Sequence, residues 1–178
     1  MEAARQLFDP VQLGPIRLRN RTLRAAAFEG MCPGHAPSDA LLAYHQSVAA
    51  GGVGMTTVAY AAVDRTGLSF PHQLWLRPEV VPALRRLTDA VHAHGARASI
   101  QIGHCGNMAH AAVSGARPLS ASSRPNLYGP TWPRAMDRAD LKQLAEHFGR
   151  AVTLAREAGF DGVELHAGHG YLLDRKSV

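Results

Sequence analysis

Apolar positions along the chain switch between a period of two and a period of three to four. Around Gly14-Pro15, VQL and IRL alternate apolar with polar residues, which predicts a β-hairpin within residues 7–21. TLRAAAF (22–28) is a candidate strand, and the glycine- and proline-rich GMCPGHAPS (30–38) is a loop. Ser38 has the chemistry of a helix N-cap, so the next element is a helix to Ala50, stopped by Gly51-Gly52. A β-rich run follows at 53–61. PEVVPALRRLTDAVHAHG (78–95) then places Val80, Leu84, Leu87 and Val91 on one helical face. RASIQI (97–102) returns to the strand period. After a long loop over roughly 103–136, Asp137 caps a helix with Leu141, Leu144, Phe148, Val152 and Ala155 along one face, and DGVELH (161–166) is a fourth strand.

Strands and helices in this order build a parallel sheet covered by helices. An open doubly wound sheet and one half of a barrel both fit the order; side-chain parity separates them. Ile100 and Ile102 share one face of RASIQI, with Ser99 and Gln101 on the other; Val163 and Leu165 oppose Gly162, Glu164 and His166. An open sheet with helices on both sides demands two apolar faces, whereas the inner face of a barrel accepts polar groups near its mouth. The expected fold is therefore α/β, the first half of a (β/α)8 TIM barrel: four βα-type units after a hairpin, in one domain over residues 1–178. Gln101 and His166 stand at C-terminal strand ends, where barrel enzymes keep their chemistry. Glu164, an acid on the inner face, is expected to find its partner in the second half. Neither G-x-G-x-x-G nor G-x-x-x-x-G-K-[ST] occurs, so no phosphate-cradling loop of those kinds is predicted; GGVG (51–54) reads as helix-stopping glycine.

Composition narrows the function classes. With 46% hydrophobic and 19% charged residues the chain can bury one sizeable core. The formal charge of +5 comes from scattered arginines with no stripe of interleaved aromatics, so no nucleic-acid partner is expected. GGVGMTTVAYAAV (51–63) is too short to span a bilayer and the first twenty residues lack a secretory signal, which predicts a soluble, cytoplasmic protein without a membrane partner. Cys32 and Cys105 agree with a reducing compartment. His104, His166 and His169 lack a carboxylate or cysteine to complete a ligand set, so no metal is expected; a metal-dependent barrel hydrolase is the least favoured of three functional readings.

LFDPVQLGPIRLRNRTLRAAAFEGMCP (7–33), QIGHCGN (101–107) and AREAGFDGVELHAGHGYLL (155–173) together resemble the N-terminal half of the Old Yellow Enzyme family of FMN-dependent ene-reductases, near the NADH:flavin oxidoreductase and 2,4-dienoyl-CoA reductase branch. The resemblance runs in register from Leu7 to Leu173. It implies FMN as cofactor, NAD(P)H as reductant and a small enone or enoyl compound as substrate. It also implies that the backbone at Ala26 and Ala27 borders the flavin, although the family's Pro-Met pair is absent, and that a second contact falls near Ala59-Tyr60, where a small residue is usual. Gln101 matches the glutamine that hydrogen-bonds the flavin ring, a role suited to an amide with both donor and acceptor. His166 and His169 match the pair that holds the oxygen of the substrate's electron-withdrawing group. Tyr171 matches the tyrosine that protonates the α-carbon while hydride from flavin N5 reaches the β-carbon. Negative charge then builds on the carbonyl oxygen, where two fixed donors stabilise it. His104 and Cys105 carry no implied catalysis, and Asn107 stands where an arginine is common.

After HGYLL the family continues with Gln-Phe-Leu-Ser-Pro and four further βα units, whereas this chain reads Asp174-Arg175-Lys176-Ser177-Val178, a tail foreign to the family. The first expectation is an FMN-dependent, NAD(P)H-driven reductase of activated C=C bonds, present as its truncated N-terminal half. The alternative is a non-catalytic fragment or pseudoenzyme that forms a homo-oligomer through exposed strand edges.

Overall fold

The computed structural model describes residues 6–127 and 129–174, so the expected foreign tail lies, apart from Asp174, outside the described residues. Val11–Leu13 (β1) and Ile16–Leu18 (β2) form the predicted hairpin, with Leu13 opposite Ile16. Then follow Leu23–Arg24 (β3), Asp39–Ala50 (α1), Met55–Ala62 (β4), Leu74–Trp75 (β5), Val81–Ala93 (α2), Arg97–Gly103 (β6), Ala111–Ser114 (α3), Leu119–Ser120 (β7), Arg134–Ala135 (β8), Arg138–Glu157 (α4) and Gly162–Leu165 (β9). The main sheet runs β3-β4-β6-β9, all parallel, with β5 added beside the C-terminal end of β4.

Local chemistry sets the helix starts. Ser38 accepts from the Leu41 N–H at 3.2 Å, and Asp137 and Asp140 close a reciprocal capping box at the head of α4; such caps contribute typically ~1 kcal/mol each. GGVG divides between two tasks. Gly51 ends α1 as expected, but Gly54 is glycine because of packing: a Cβ there would lie 2.6 Å from the Asn20 carbonyl oxygen.

The core lies between the sheet and its helices. Val58, Ile100 and Ile102 pack with Leu41 of α1, Leu84, Leu87 and Val91 of α2, and Ala151, Leu154 and Ala155 of α4, with Val163 against the same cluster. Each fully buried leucine or isoleucine there contributes ~1.5–3 kcal/mol. On the opposite face Gln101 stands in register with Glu164, and Thr57 Oγ1 meets Ser99 Oγ at 2.7 Å. Helices therefore cover one face and polar groups occupy the other, as the parity of the strands requires. This is an arc of a (β/α)8 barrel, with β1 and β2 and the inner face of β4, β6 and β9 bounding a cleft of ≈ 360 Å³.

Three boundaries differ from the sequence reading. The strand expected at 22–28 keeps ladder pairing only at Leu23 and Arg24; the Arg24 guanidinium then reaches the carbonyls of Thr57 and Ala27, and residues 25–28 run along the rim. The buried face of α4 passes through Leu144, Phe148, Ala151, Leu154 and the expected Ala155, because that stripe meets the sheet and α2. Leu141 and Val152 lie on its flank, 53% and 43% exposed. The stretch 103–136 is not one loop: α3 and the parallel pair β7–β8 organise it, with Leu119 opposite Arg134 and Ser120 opposite Ala135.

Candidate active site

The C-terminal ends of β4, β6 and β9 gather the polar groups of the inner face. Gln101 Nε2 donates to Glu164 Oε1 at 2.6 Å. Within this arc Glu164 thus has a hydrogen-bond partner opposite it in register, beside any that a second half would bring, and it is exposed. The Gln101 carbonyl oxygen has no partner from this bond and stays available to a ligand.

Immediately beyond β9 the backbone is pinned at several points. The His166 N–H donates to the Ile102 carbonyl at 2.9 Å, and the Leu172 N–H to the His104 carbonyl at 3.0 Å. Gly103 lets the two segments approach closely here: a Cβ on it would stand 3.0 Å from the His166 Cβ, tighter than ordinary contact. Between these anchors the chain makes a turn through His169 and Gly170, both at positive φ, and the Tyr171 N–H closes it on the Gly168 carbonyl. The turn brings the predicted trio together: His166 and His169 ring centres are 5.1 Å apart, and His166 meets Tyr171 edge-on at 4.6 Å. His166 is buried, whereas His169 is exposed. Burial, then the neighbouring His169, lowers the His166 pKa below its usual value despite Glu164 and Asp174 nearby. At neutral pH the ring is an uncharged N–H donor. Burial raises the Tyr171 pKa, so the phenol keeps its proton.

Tyr60 enters the site where β4 loses register with β6, between Val58 and Ala61. Its hydroxyl lies 2.8 Å from the Tyr171 hydroxyl and 3.3 Å from Cys105 Sγ. Ala59, Tyr60, Cys105, Ala109 and Tyr171 form a small buried cluster, with Ala26 packed against it. Burial, with Cys105 close by, raises the Tyr60 pKa strongly; burial likewise pushes the Cys105 thiol up to about 11. Phe28 continues the aromatic wall, 6.0 Å from Tyr60 and 5.1 Å from Phe70. The contact of Tyr60 with Tyr171 and Cys105 is absent from the sequence reading, because it depends on a break in strand register that leaves no trace in the period-two pattern.

A second, half-buried cluster escaped the sequence reading. Asp64, just past β4, accepts from His147 Nδ1 of α4 at 2.9 Å and lies 3.6 Å from His104 Nε2. Burial works against the Asp64 carboxylate, but His104, Thr66 and His147 outweigh it and hold its pKa below the ordinary value. This cluster ties the end of β4, the end of β6 and α4 together. Among the described residues, no group of three or more His, Cys, Asp or Glu is placed to hold a metal ion, and no helix is long and apolar enough to cross a membrane.

The rim suits a flat, polar ring system. Ala26 and Ala27 present small side chains where the ladder has ended, Gln101 offers a carboxamide, and the aromatic wall stands on one side. Enzymes built as (β/α)8 barrels keep their chemistry at this rim, and the fold and rim define the chain as half of such a barrel. It belongs to the NADH:flavin oxidoreductase / NADH oxidase family, whose family model matches residues 6–176. It is 44% identical to the 4,4'-dithiodibutanoate disulfide reductase of Rhodococcus erythropolis over 94% of this chain and 41% of that protein. Against the NADPH dehydrogenase of Listeria monocytogenes serotype 4a it is 35% identical over 94% of this chain and 50% of that one. The old yellow enzyme homologue from Zymomonas mobilis superposes with a TM-score of 0.86 at 28% identity, covering 96% of this chain and 50% of that one. A point mutant of morphinone reductase in complex with tetrahydroNAD gives 0.87 at 25% identity, over 97% and 54%. The chain thus spans about half the length or less of these relatives. The family is one of flavin- and NADH-dependent oxidoreductases.

Proposed function

We propose that the chain supplies the substrate-facing half of an FMN-dependent, NAD(P)H-driven reductase of activated C=C bonds. The observation that carries this reading is the joint placement of His166, His169 and Tyr171 at the barrel rim, with Tyr171 protonated and His166 neutral. When bound, FMN supplies the hydride. Ala26 and Ala27 would border it and Gln101 would bond its ring. His166 and His169 would hold the oxygen of an enone or enoyl substrate, stabilising charge that appears only as the hydride arrives. Tyr171 would give its proton to the α-carbon, a transfer matched to a weak acid and a strongly basic carbanion. Because the 44% identical relative is named for a disulfide substrate, an organic disulfide, which takes up two electrons and two protons to give two thiols, is the second substrate class to test.

In (β/α)8 barrels the phosphate of a cofactor is commonly held after strands seven and eight, outside the span matched here. The chain is therefore best tested co-expressed with the C-terminal half of the Rhodococcus relative. We expect a yellow complex that oxidises NAD(P)H with cyclohexenone, and a Tyr171→Phe variant that keeps the flavin but turns over about 10²–10⁴-fold more slowly. A yellow complex that reduces neither cyclohexenone nor 4,4'-dithiodibutanoate, or one indifferent to Tyr171→Phe, would contradict the proposal.

A further inference from the structure

We propose that Tyr60 is a positioning residue for Tyr171: its buried hydroxyl donates to the Tyr171 oxygen, with the Cys105 thiol behind it, and so directs the Tyr171 proton toward the reacting molecule. The inference rests on Tyr171 being the acid of the proposed reaction, and it gives Tyr60 a task other than lining the cofactor.

The order of donors follows from acceptor strength. Tyr60 has one proton and two neighbours, the Tyr171 oxygen at 2.8 Å and the Cys105 sulfur at 3.3 Å. Sulfur is the weaker acceptor, so the Tyr60 proton goes to Tyr171 and the Cys105 S–H points back at the Tyr60 oxygen. The Tyr171 proton is then not taken up by the Tyr60 oxygen: the Cys105 sulfur is its weak partner within the chain, and a ligand on the side of His166 and His169 competes for it. When the Tyr171 O–H bond breaks and the new C–H bond forms, the negative charge left on the Tyr171 oxygen meets the Tyr60 O–H already in place; solvent afterwards returns a proton to Tyr171. Burial raises the pKa of both phenols, more strongly for Tyr60, so Tyr171 is the one of the pair that can give its proton up. The ring of Tyr60 cannot easily turn aside: it is 5% exposed and held between Phe28, His166 and Tyr171. The other titratable groups facing the pair are His166 and His169 beyond β9 and Cys105 beyond β6. The bonded Gln101–Glu164 pair lies one layer further in, and the Gly170 N–H occupies Asp174.

The test reads the phenol itself, without flavin or substrate. The chain is labelled with 3,5-difluorotyrosine, whose fluorines bring ionisation down to pH values where the fold persists. Titration is followed by fluorine NMR, the Tyr171 signal being assigned by Tyr171→Phe. Tyr60→Phe keeps the ring and removes the hydroxyl; it is expected to move the Tyr171 midpoint upward by about one pH unit, a tenfold weaker acid. Cys105→Ala, with Tyr60 intact, removes a neighbour that raises the Tyr171 pKa and is expected to move the midpoint the other way. A midpoint that stays in place or falls in Tyr60→Phe, with native circular dichroism, overturns the proposal. If Tyr60→Phe does not fold, the fluorine signal of Tyr60 in the parent chain, assigned by elimination with Tyr44→Phe, Tyr128→Phe and Tyr171→Phe, decides: a Tyr60 midpoint below that of Tyr171 overturns the proposal. Because turnover is not measured, a failure of the C=C reductase reading shows up only in the complementation assay and leaves this result legible.

Discussion

The Gly106 N–H faces His104 Nδ1 at 3.0 Å, so that nitrogen accepts and the ring proton sits on Nε2, 3.0 Å from Thr66 Oγ1. Burial, against the pull of Asp64 and with the help of His147, lowers the His104 pKa, and a second ring proton would also meet the Gly106 N–H. A histidine whose folded pKa lies below its unfolded value, about 6.5, contributes stability that is complete above that pH and is lost as the pH falls below it. The midpoint of urea unfolding is therefore expected to be lower at about pH 5.5 than at about pH 7.5. His104→Asn keeps an acceptor for the Gly106 N–H and cannot be charged. It should cost about 1–3 kcal/mol at the higher pH through the lost Thr66 bond, yet show a shallower pH dependence, His166 supplying the remainder. Identical slopes in the two proteins would count against a buried neutral His104.

Among the elements, β4 depends most on a residue outside it. Between Val58 and Ala61 its pairing with β6 shifts, and the Ala59 N–H, displaced from the ladder, turns to the Glu29 carboxylate at 3.1 Å. Glu29 also takes Arg24 at 2.7 Å and lies 3.2 Å from His45 Nε2, whose other nitrogen meets Thr56 Oγ1 at 2.8 Å. The Glu29 side chain is only 4% exposed. Removing one partner of a buried ion pair leaves the other charge uncompensated, so Glu29→Ala should lose about 3–5 kcal/mol in urea denaturation. Glu29→Gln should lose less, because a carboxamide oxygen still accepts from Ala59. A loss below about 1 kcal/mol for the alanine variant would show that the bulge holds without the carboxylate. Since Tyr60 follows Ala59, the same acid sets how firmly the site's second phenol is presented.

For the whole molecule, the consequences lie at the sheet's edges. β3 and β9 end the strand order, and Leu23 and Leu165 on them are 53% and 55% exposed, with Leu141 and Val152 exposed on the flank of α4. Unpaired strand edges beside apolar side chains favour association. The isolated 178-residue chain is expected to sediment as a concentration-dependent mixture, and Leu165→Lys, which adds a charge to the edge, to shift it toward the monomer. A single monomeric boundary for the parent chain at every concentration would refute this. The same chain, without a partner half, is expected to release added FMN on desalting.

Alternation within RASIQI and DGVELH was enough to place Gln101 and Glu164 on one side and Ile100 and Val163 on the other, because a period of two assigns faces without reference to the rest of the molecule. Ser38 and Asp137 announced their helices for the same reason: a cap bonds to backbone three residues away. The trio His166, His169 and Tyr171 was legible through the resemblance of HAGHGY to the Old Yellow Enzyme family, and within one turn no distant contact is needed to bring it together. Other contacts join positions far apart in the chain. Tyr60 and Tyr171 are 111 residues apart, His147 and Asp64 are 83, and Ala59 and Glu29 are 30. Composition and spacing carry no record of such pairs; they form only when parallel strands align and β4 slips register, so the tertiary structure alone decided that a second phenol stands behind the first.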